Sequence, residues 1–382
     1  MGKIYTAMGL MSGTSLDGVD VSIIESDGNQ DYTVIFDRYF QYNNSLISKI
    51  LEARDKIFSK NDLNLYTDQL KSIEKEITLF HVKAVKETLE ISKSDVDLIG
   101  FHGQTIFHNP EIKITKQLGD GKLLSQLTKK KVVYNFRQND IENGGQGAPL
   151  TPIFHNLLAN KIKKNFSLAF PINFLNIGGI ANITTTVDWN NLSKKNKLNA
   201  YDIGPGNCLI DEWIRKNSKK KYDKDGLLAR SGKTDRLILN QALENFTTIS
   251  YYEKSLDIKD FDIFFAKGLS LENGAATITD FTAKLIANGI NYMNSMIDHS
   301  HMGKWLVCGG GRKNKYLLES IKNNFKKINI ETIDKYEING DFIESQAFAF
   351  LAIRSIEGMP NTFPNTTRCK QPSTGGVIVK NF

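Results

Sequence analysis

Residues 4 to 24 of the chain hold two apolar stretches, IYTAMGL and VDVSII, joined only by the tight polar segment MSGTSLDG. A strand, a glycine turn rich in hydroxyls and a second strand make a hairpin whose tip offers backbone N–H groups as an anion-binding concavity. Ser12, Thr14 and Ser15 add donors at that tip, and Asp17 adds a carboxylate suited to a hydrated cation. One such pattern is equally the mark of an ordinary turn. The chain repeats it: LNIGGIANIT at 175–184 has the same strand–glycine–strand form. Two hairpins of this kind constrain the chain to a duplicated plan.

The rest of the sequence fits duplication. Three strands fill the first 41 residues, and two helical stretches follow at about 44–59 and 63–92. In the second, Tyr66, Leu70, Ile73, Ile77, Phe80 and Ala84 recur at alternating four- and three-residue steps, an amphipathic face. The strand DVDLIGFH comes next, then a short strand from 132 running into the glycine-rich loop FRQNDIENGGQGAP. Strands at 171–177, 180–187 and up to Asp202 restart the plan. Helices to about 298, the strand and glycines of WLVCGGG, another helix and a last helix at about 340–355 complete it. Alternating strands and helices indicate an α/β class. At 382 residues the chain exceeds one ordinary domain. The expected division is 1–134 plus about 346–382 as domain I and 135–345 as domain II, with ligands in an inter-domain cleft.

Charge and cysteine usage narrow the function classes. The net charge of +7 comes mostly from short lysine clusters such as Lys129–Lys131, Lys163–Lys164, Lys194–Lys195 and Lys219–Lys221. They lack interleaved aromatics and read as solvated decoration, so no nucleic-acid surface is expected, although the field favours small anions. No run reaches the roughly 18 apolar residues of a membrane span, and the N-terminus carries no secretory signal pattern. Cys208, Cys308 and Cys369 lack paired spacing for zinc or disulfides, so the expectation is a cytoplasmic protein.

Several segments carry candidate chemistry. SGKTD at 231–235 imitates the end of a P-loop but has the wrong glycine spacing and no strand before it, so a helix-cap loop is expected. In YDIGPGNCLID a strand places Asp202 at its end, a Gly204-Pro205-Gly206 turn follows, and Asn207 opens a helix. Asp202 there serves either as a general base or as a helix-capping residue. GFHGQTIFH brings His102, Gln104, Thr105 and His108 into one stretch, suited to recognition of a sugar or nucleotide, to structural burial or, lacking a third ligand, least of all to a metal. In FRQNDIENGGQGAPL, Arg137 either clamps a carboxylate or phosphate or pairs with Asp140 inside the loop. LVCGGGRKN presents three glycines at a helix start, where a flat ring can lie on bare backbone.

Taken in order, SGTSLDGVD, GFHGQTIFH, FRQNDIENGGQGAPL, NIGGIANIT, DIGPGNCLID and VCGGGRKN resemble the anhydro-N-acetylmuramic acid kinases of bacteria, over about residues 8–376 and including EINGDFIESQAFAFLA. The resemblance implies a two-domain actin/hexokinase-like (ribonuclease H-like) α/β fold with an inter-domain cleft for ATP and a cell-wall sugar. It implies hydrolysis of the 1,6-anhydro ring with phosphorylation of O6, giving N-acetylmuramic acid 6-phosphate in peptidoglycan recycling. By carry-over Asp202 is the base that activates water. Gly13, Thr14, Ser15, Leu16, Asp17, Gly18, Val19 and Asp20 match the ATP-binding hairpin, and Gly178, Gly179, Gly309, Gly310 and Gly311 are further nucleotide contacts. Asp17 holds Mg²⁺, directly or through water. Gln104 and Arg137 are candidates for the sugar and its lactyl carboxylate, with Asn207 beside them. A homodimer is also implied. Two positions depart from the family pattern: Asn109 follows the HGQT segment where the family is more basic, and Ile203 stands where these kinases carry Thr, an expected loss of a hydroxyl near the base.

Three other readings compete. Another sugar kinase of the same superfamily would use Asp202 to deprotonate a free hydroxyl. A nucleotide-gated chaperone or scaffold would use the same hinge, but has no need of the HGQT and GGQGAP loops. A catalytically dead relative conflicts with the intact Asp202.

Overall fold

In the computed structural model the described residues are 2–13, 15–192, 198–246, 254–296, 303–325 and 329–382. Thr14, Lys194, Lys195 and the expected helix end near 298 lie outside them. The chain separates into two compact units, Met1–Leu157 with Asp341–Phe382, and Leu158–Gly340.

The first unit opens with strands β1 (Tyr5–Ser12), β2 (Gly18–Ser26) and β3 (Tyr32–Gln41) and helices α1 (Asn44–Lys56), α2 (Lys60–Leu65) and α3 (Thr67–Ser92). Strands β4 (Leu98–Asn109) and β5 (Ile114–Leu118), helix α4 (Gly121–Thr128), strand β6 (Lys131–Tyr134) and the short α5 (Gln138–Glu142) follow. Helix α6 (Pro152–Phe166) carries the chain into the second unit. There come β7 (Ile172–Ile177), β8 (Ile180–Thr185), β9 (Asn199–Pro205), α7 (Cys208–Asn217), α8 (Leu227–Ser231), α9 (Arg236–Asn245) and α10 (Leu271–Met296). Strand β10 (Lys304–Cys308), α11 (Lys315–Asn324) and β11 (Ile330–Thr332) complete that unit. Helices α12 (Ile343–Ile356) and α13 (Pro364–Thr367) and strand β12 (Val377–Val379) return to the first.

The first sheet has the order β12-β6-β4-β1-β2-β3, with β5 paired to β4; the second has the order β11-β10-β7-β8-β9. In each, three antiparallel strands form a meander whose first strand pairs in parallel with a later one, which pairs in parallel with the next. This twice-used order is the ribonuclease H-like, actin/hexokinase-like architecture expected from the sequence. Parallel partners need long crossovers, and α1–α3 and α7–α10 supply them.

Each unit closes its own core. In the first, Leu70, Ile73, Ile77 and Ala84 of α3 are buried with Met8, Leu10, Val21 and Phe101 from the sheet. Phe80 packs against that cluster half-buried, and Tyr66 sits at the N-cap of α3. In the second, Leu175, Ile183, Ile203 and Val307 pack with Ile278, Leu285 and Ile286 of α10. The SGKTD segment ends α8 and caps α9: the Asp235 carboxylate accepts the N–H groups of Leu237 and Ile238. It is a capping loop, as its spacing required.

Two elements extend beyond their expected ends. β4 continues through HGQTIFHN and turns back as β5, and β9 runs past Asp202 to Pro205. Proline is tolerated there because β9 is the edge strand of its sheet.

The backbone of α12 presses on the first sheet at two glycines. A Cβ on Gly9 would stand 1.8 Å from the Ser345 carbonyl oxygen, and one on Gly100 would stand 2.1 Å from that of Phe348. Neither neighbour is a side chain that can swing away. Gly9→Ala is therefore expected to cost at least about 3 kcal/mol of stability by overpacking. A urea midpoint within error of the parent would disprove the contact.

Candidate active site

In the first unit the tip of the β1–β2 hairpin is a compact turn. Leu16 adopts a left-handed backbone (φ 58°) with its side chain buried, and its N–H reaches the Gly13 carbonyl at 3.3 Å. The Gln104 Nε2 donates to that same carbonyl at 3.1 Å, because Gln104 of β4 pairs in register with Ser12 of β1. The other amide atom of Gln104, Oε1, is buried without a partner among the described residues, on a side chain only 1% exposed. A buried acceptor left this way costs about 1–3 kcal/mol unless a ligand or water supplies a donor. Leu16 and Val19 point into the core, so only their backbones face the tip. Ser12 is also buried and turned inward, contrary to its expected place among the tip donors. Ser15 and Asp17 are exposed, and the Ser15 hydroxyl donates to Asp17 Oδ1 at 2.5 Å. These two supply oxygen ligands only, which suits a hard cation that keeps most of its water.

Arg137 is held by the strand that carries Gln104. Its Nε and Nη2 lie 3.2 and 3.0 Å from His102 Nε2, and its Nη1 donates to the Gly147 carbonyl at 2.8 Å. His102 Nδ1 faces the Gly103 carbonyl at 2.7 Å, so that nitrogen carries the proton and Nε2 accepts from the arginine. Burial first, and the Arg137 charge second, push the His102 pKa well below its ordinary value, which keeps the ring a neutral acceptor. Both ring nitrogens are thus engaged within the protein. Burial, with Arg137 adding, likewise lowers His108 to about 3. Asp140 organises the glycine-rich loop: its carboxylate takes the Gly147 N–H at 2.7 Å and the Thr367 hydroxyl at 2.6 Å. Arg137 is therefore seated on a histidine and a carbonyl, a platform that no spacing in the sequence marked.

In the second unit the glycine motifs converge at the carboxyl ends of β7 and β10, where ligands gather in open α/β sheets. The start of α7 packs on the Gly178–Gly179 turn. Asn207 N–H donates to the Gly178 carbonyl at 2.8 Å, and the Gly206 N–H donates to that of Gly179 at 2.8 Å. The Asn207 side chain adds Nδ2 to the Gly178 carbonyl at 3.2 Å. Gly309 (φ +76°) and Gly311 are demanded by packing, since a Cβ would meet Asn176 Oδ1 at 2.4 Å or the Ile177 side chain at 2.2 Å. At Gly178 and Gly310 the nearest atoms to a Cβ would be 3.6 and 3.9 Å away. A Cβ would meet only ordinary van der Waals contact there, and bare backbone of this kind fits a nucleotide's flat or anionic groups.

Asp202 lies in β9 opposite Asn182 and is 6% exposed. Its Oδ2 accepts the Leu256 N–H at 2.9 Å and the Ser255 hydroxyl at 3.2 Å. Both donors orient the carboxylate. They sit in a loop more than fifty residues downstream without a motif, so the sequence did not reveal them. Asn182 was also missed; among the described residues its Oδ1 is buried without a partner, and it pairs across the ladder with Asp202. Ile203 corrects an expectation. Ile203 is the extra residue where the register between β8 and β9 shifts, and it lies in the apolar core, where a Cβ on Gly289 of α10 would touch it at 2.5 Å. A threonine hydroxyl there would sit in that core. Among the described residues, no group of three or more His, Cys, Asp or Glu could hold a metal, and no helix is long and apolar enough to cross a membrane.

A family model described as anhydro-N-acetylmuramic acid kinase matches residues 5–381. The anhydro-N-acetylmuramic acid kinase of Pelagibacter ubique is 54% identical over 385 residues, covering 100% of both chains. Those of Agrobacterium fabrum (36% identical, 100% of both chains) and Zymomonas mobilis (37% identical, 97% of this chain and 99% of the other) are also similar.

The placement of Ile203 yields a prediction. Ile203→Thr should lower stability by about 1–3 kcal/mol, because it buries a hydroxyl and removes apolar contact. Turnover should not rise. A faster enzyme with an unchanged urea midpoint would return residue 203 to the side of the Asp202 carboxylate.

Proposed function

The chain belongs to the anhydro-N-acetylmuramic acid kinase family, and from that membership we infer how its own residues divide the family's reaction. The enzyme is an ATP-dependent kinase that opens the 1,6-anhydro ring of anhydro-N-acetylmuramic acid and phosphorylates O6, giving N-acetylmuramic acid 6-phosphate in peptidoglycan recycling. The match over residues 5–381 carries this conclusion.

Asp202 is the general base. It takes one proton from a water whose oxygen bonds to the anomeric carbon, while the bond from that carbon to O6 breaks. The released O6 bonds to the γ-phosphorus, the bond to the β–γ bridging oxygen breaks, and ADP leaves. Support for the assignment comes from the two donors that orient the carboxylate, from Leu256 and Ser255. Phosphoryl transfer itself asks mainly for positioning and charge neutralisation. Gly13, Ser15, Leu16, Asp17, Gly18, Val19 and Asp20 face the phosphates in this reading, with Thr14 between them. Gly178, Gly179, Gly309, Gly310 and Gly311 offer backbone to the nucleotide. Mg²⁺ bound with ATP would neutralise phosphate charge, with Asp17 and Ser15 as its oxygen donors. Arg137 binds the lactyl carboxylate and Gln104 Oε1 accepts from the sugar. Asn207 has a nearer role in bracing the Gly178 turn, which its hydrogen bonds support. A cytoplasmic homodimer completes the reading; three free cysteines fit a reducing compartment.

The alternative, a kinase that phosphorylates a free hydroxyl, needs no water. Turnover of the anhydro sugar in ¹⁸O-labelled water should place label at the anomeric carbon of the product; unlabelled product would sink the ring-opening reading. Asp202→Asn keeps an acceptor for the Leu256 N–H, so it should fold and bind ATP while losing at least about a hundredfold in kcat, the lower range for a lost general base. Near-parent turnover would remove Asp202 from the chemistry. Arg137→Ala should raise KM for the anhydro sugar far more than KM for ATP, and the reverse pattern would assign Arg137 to the nucleotide.

A further inference from the structure

Behind the β1–β2 tip lies a buried polar chain that the reaction as described does not use. Ser12 Oγ is 2.9 Å from the Tyr42 hydroxyl and 3.1 Å from His81 Nε2, and His81 Nδ1 is 2.8 Å from the Ile77 carbonyl. Ser12 is 1% exposed, Tyr42 2% and His81 0%. The proton positions follow from the partners. A carbonyl only accepts, so His81 Nδ1 carries hydrogen. Burial lowers the His81 pKa to about 4, so the ring is neutral near pH 7 and Nε2 is a bare acceptor. The Ser12 hydroxyl must then donate to His81, which leaves its oxygen to accept from Tyr42. Burial holds the Tyr42 phenol protonated, with its pKa raised well above the ordinary value.

Tyr42 also reaches the other side of the tip. Its backbone N–H donates to the Asp17 carbonyl at 2.9 Å, while its hydroxyl holds Ser12, the residue just before Gly13. One residue thus ties both legs of the hairpin, and α3 anchors it through His81. The ring is fixed as well, edge-on to Phe80 at 4.8 Å.

We propose that Tyr42, Ser12 and His81 are positioning residues for ATP, a directed hydrogen-bond chain that sets the angle of the phosphate-facing hairpin from helix α3. The proposal rests on the reading that this hairpin meets the phosphates. None of the three side chains needs to touch the nucleotide. Their effect passes through the backbone at Gly13 and Asp17, where sub-ångström placement of donors decides the strength of phosphate binding.

The test is steady-state kinetics on the full-length enzyme with both substrates varied. Tyr42→Phe removes one oxygen and keeps the ring packing and the backbone bond to Asp17. His81→Leu removes the acceptor, and His81→Gln restores one at a similar reach. Tyr42→Phe and His81→Leu should each raise KM for ATP about tenfold, the effect of one lost buried hydrogen bond, while KM for the anhydro sugar changes less than twofold. His81→Gln should recover most of the ATP effect. Thermal melts of each variant serve as the control for folding. Lowered melting temperatures with both KM values unchanged would make the chain a purely structural one and overturn the proposal. So would an equal rise in both KM values. Asp17→Ala separates the premise from the proposal. If it raises KM for ATP and the Tyr42 and His81 variants do not, only the relay falls. If all three leave KM for ATP unchanged, the hairpin does not meet the phosphates and both readings fall.

Discussion

The contact between α12 and the first sheet at Gly9 and Gly100 is the constraint on which that unit depends. It is backbone against backbone, with no side chain to absorb a shift, so it fixes β1 and β4 relative to one helix and to each other. Both strands run on from these glycines to the candidate site. Three residues beyond Gly9 lies Ser12, four beyond Gly100 lies Gln104, and the two pair in register. The one-residue difference is taken up by an irregularity between Leu10 and Ser12. The extra residue belongs to β4, where Gly103 takes a left-handed backbone (φ 75°), and just beyond it the Gln104 side chain reaches the Gly13 carbonyl. Bulges re-aim strands near functional sites in this way.

The three histidines that matter in this unit share one electrostatic logic. His81, His102 and His108 are each held neutral by burial, and His102 and His108 feel Arg137 in addition. None of them is poised to titrate near neutrality. A neutral imidazole with one proton committed to a carbonyl is a fixed, directional acceptor, and the protein uses two of them so. His81 accepts from Ser12 and His102 accepts from Arg137. A glutamate in either place would bring a buried negative charge, which needs a partner or a costly loss of hydration. For Arg137 the neutral histidine seat supplies a hydrogen-bond acceptor without adding a buried carboxylate.

Much of this was legible in the sequence, for a definable reason. Glycine turns between β-branched runs mark hairpins through local geometry alone, so both strand–glycine–strand units and the duplicated α/β plan could be read directly. Elements whose ends depend on neighbours could not. Gly204-Pro205-Gly206 reads as a turn after Asp202, yet the chain stays extended to Pro205 because β8 lies on one side and, among the described residues, no strand on the other demands its missing N–H. His102 to Asn109 mixes polar and apolar residues, and only pairing with β5 keeps it a strand. Site residues divide the same way. Asp202 and the glycines announce themselves by local pattern. Leu256 and Ser255 act on Asp202, and His81 on Ser12, across separations of more than fifty residues, where no periodicity connects the partners.

Ile203 shows why a family pattern must be read through strand geometry. Next to Asp202 in sequence, it belongs to the apolar core under α10, at the point where the register between β8 and β9 shifts. Asn182 lies directly across from Asp202 on the neighbouring strand, and residues paired in this way share a face of the sheet. Proximity to a strand residue is therefore set by the ladder as well as by the chain. The groups beside the Asp202 carboxylate come from β8 and from the loop at Ser255 and Leu256, whereas Ile203 belongs to the core that holds β9 in place.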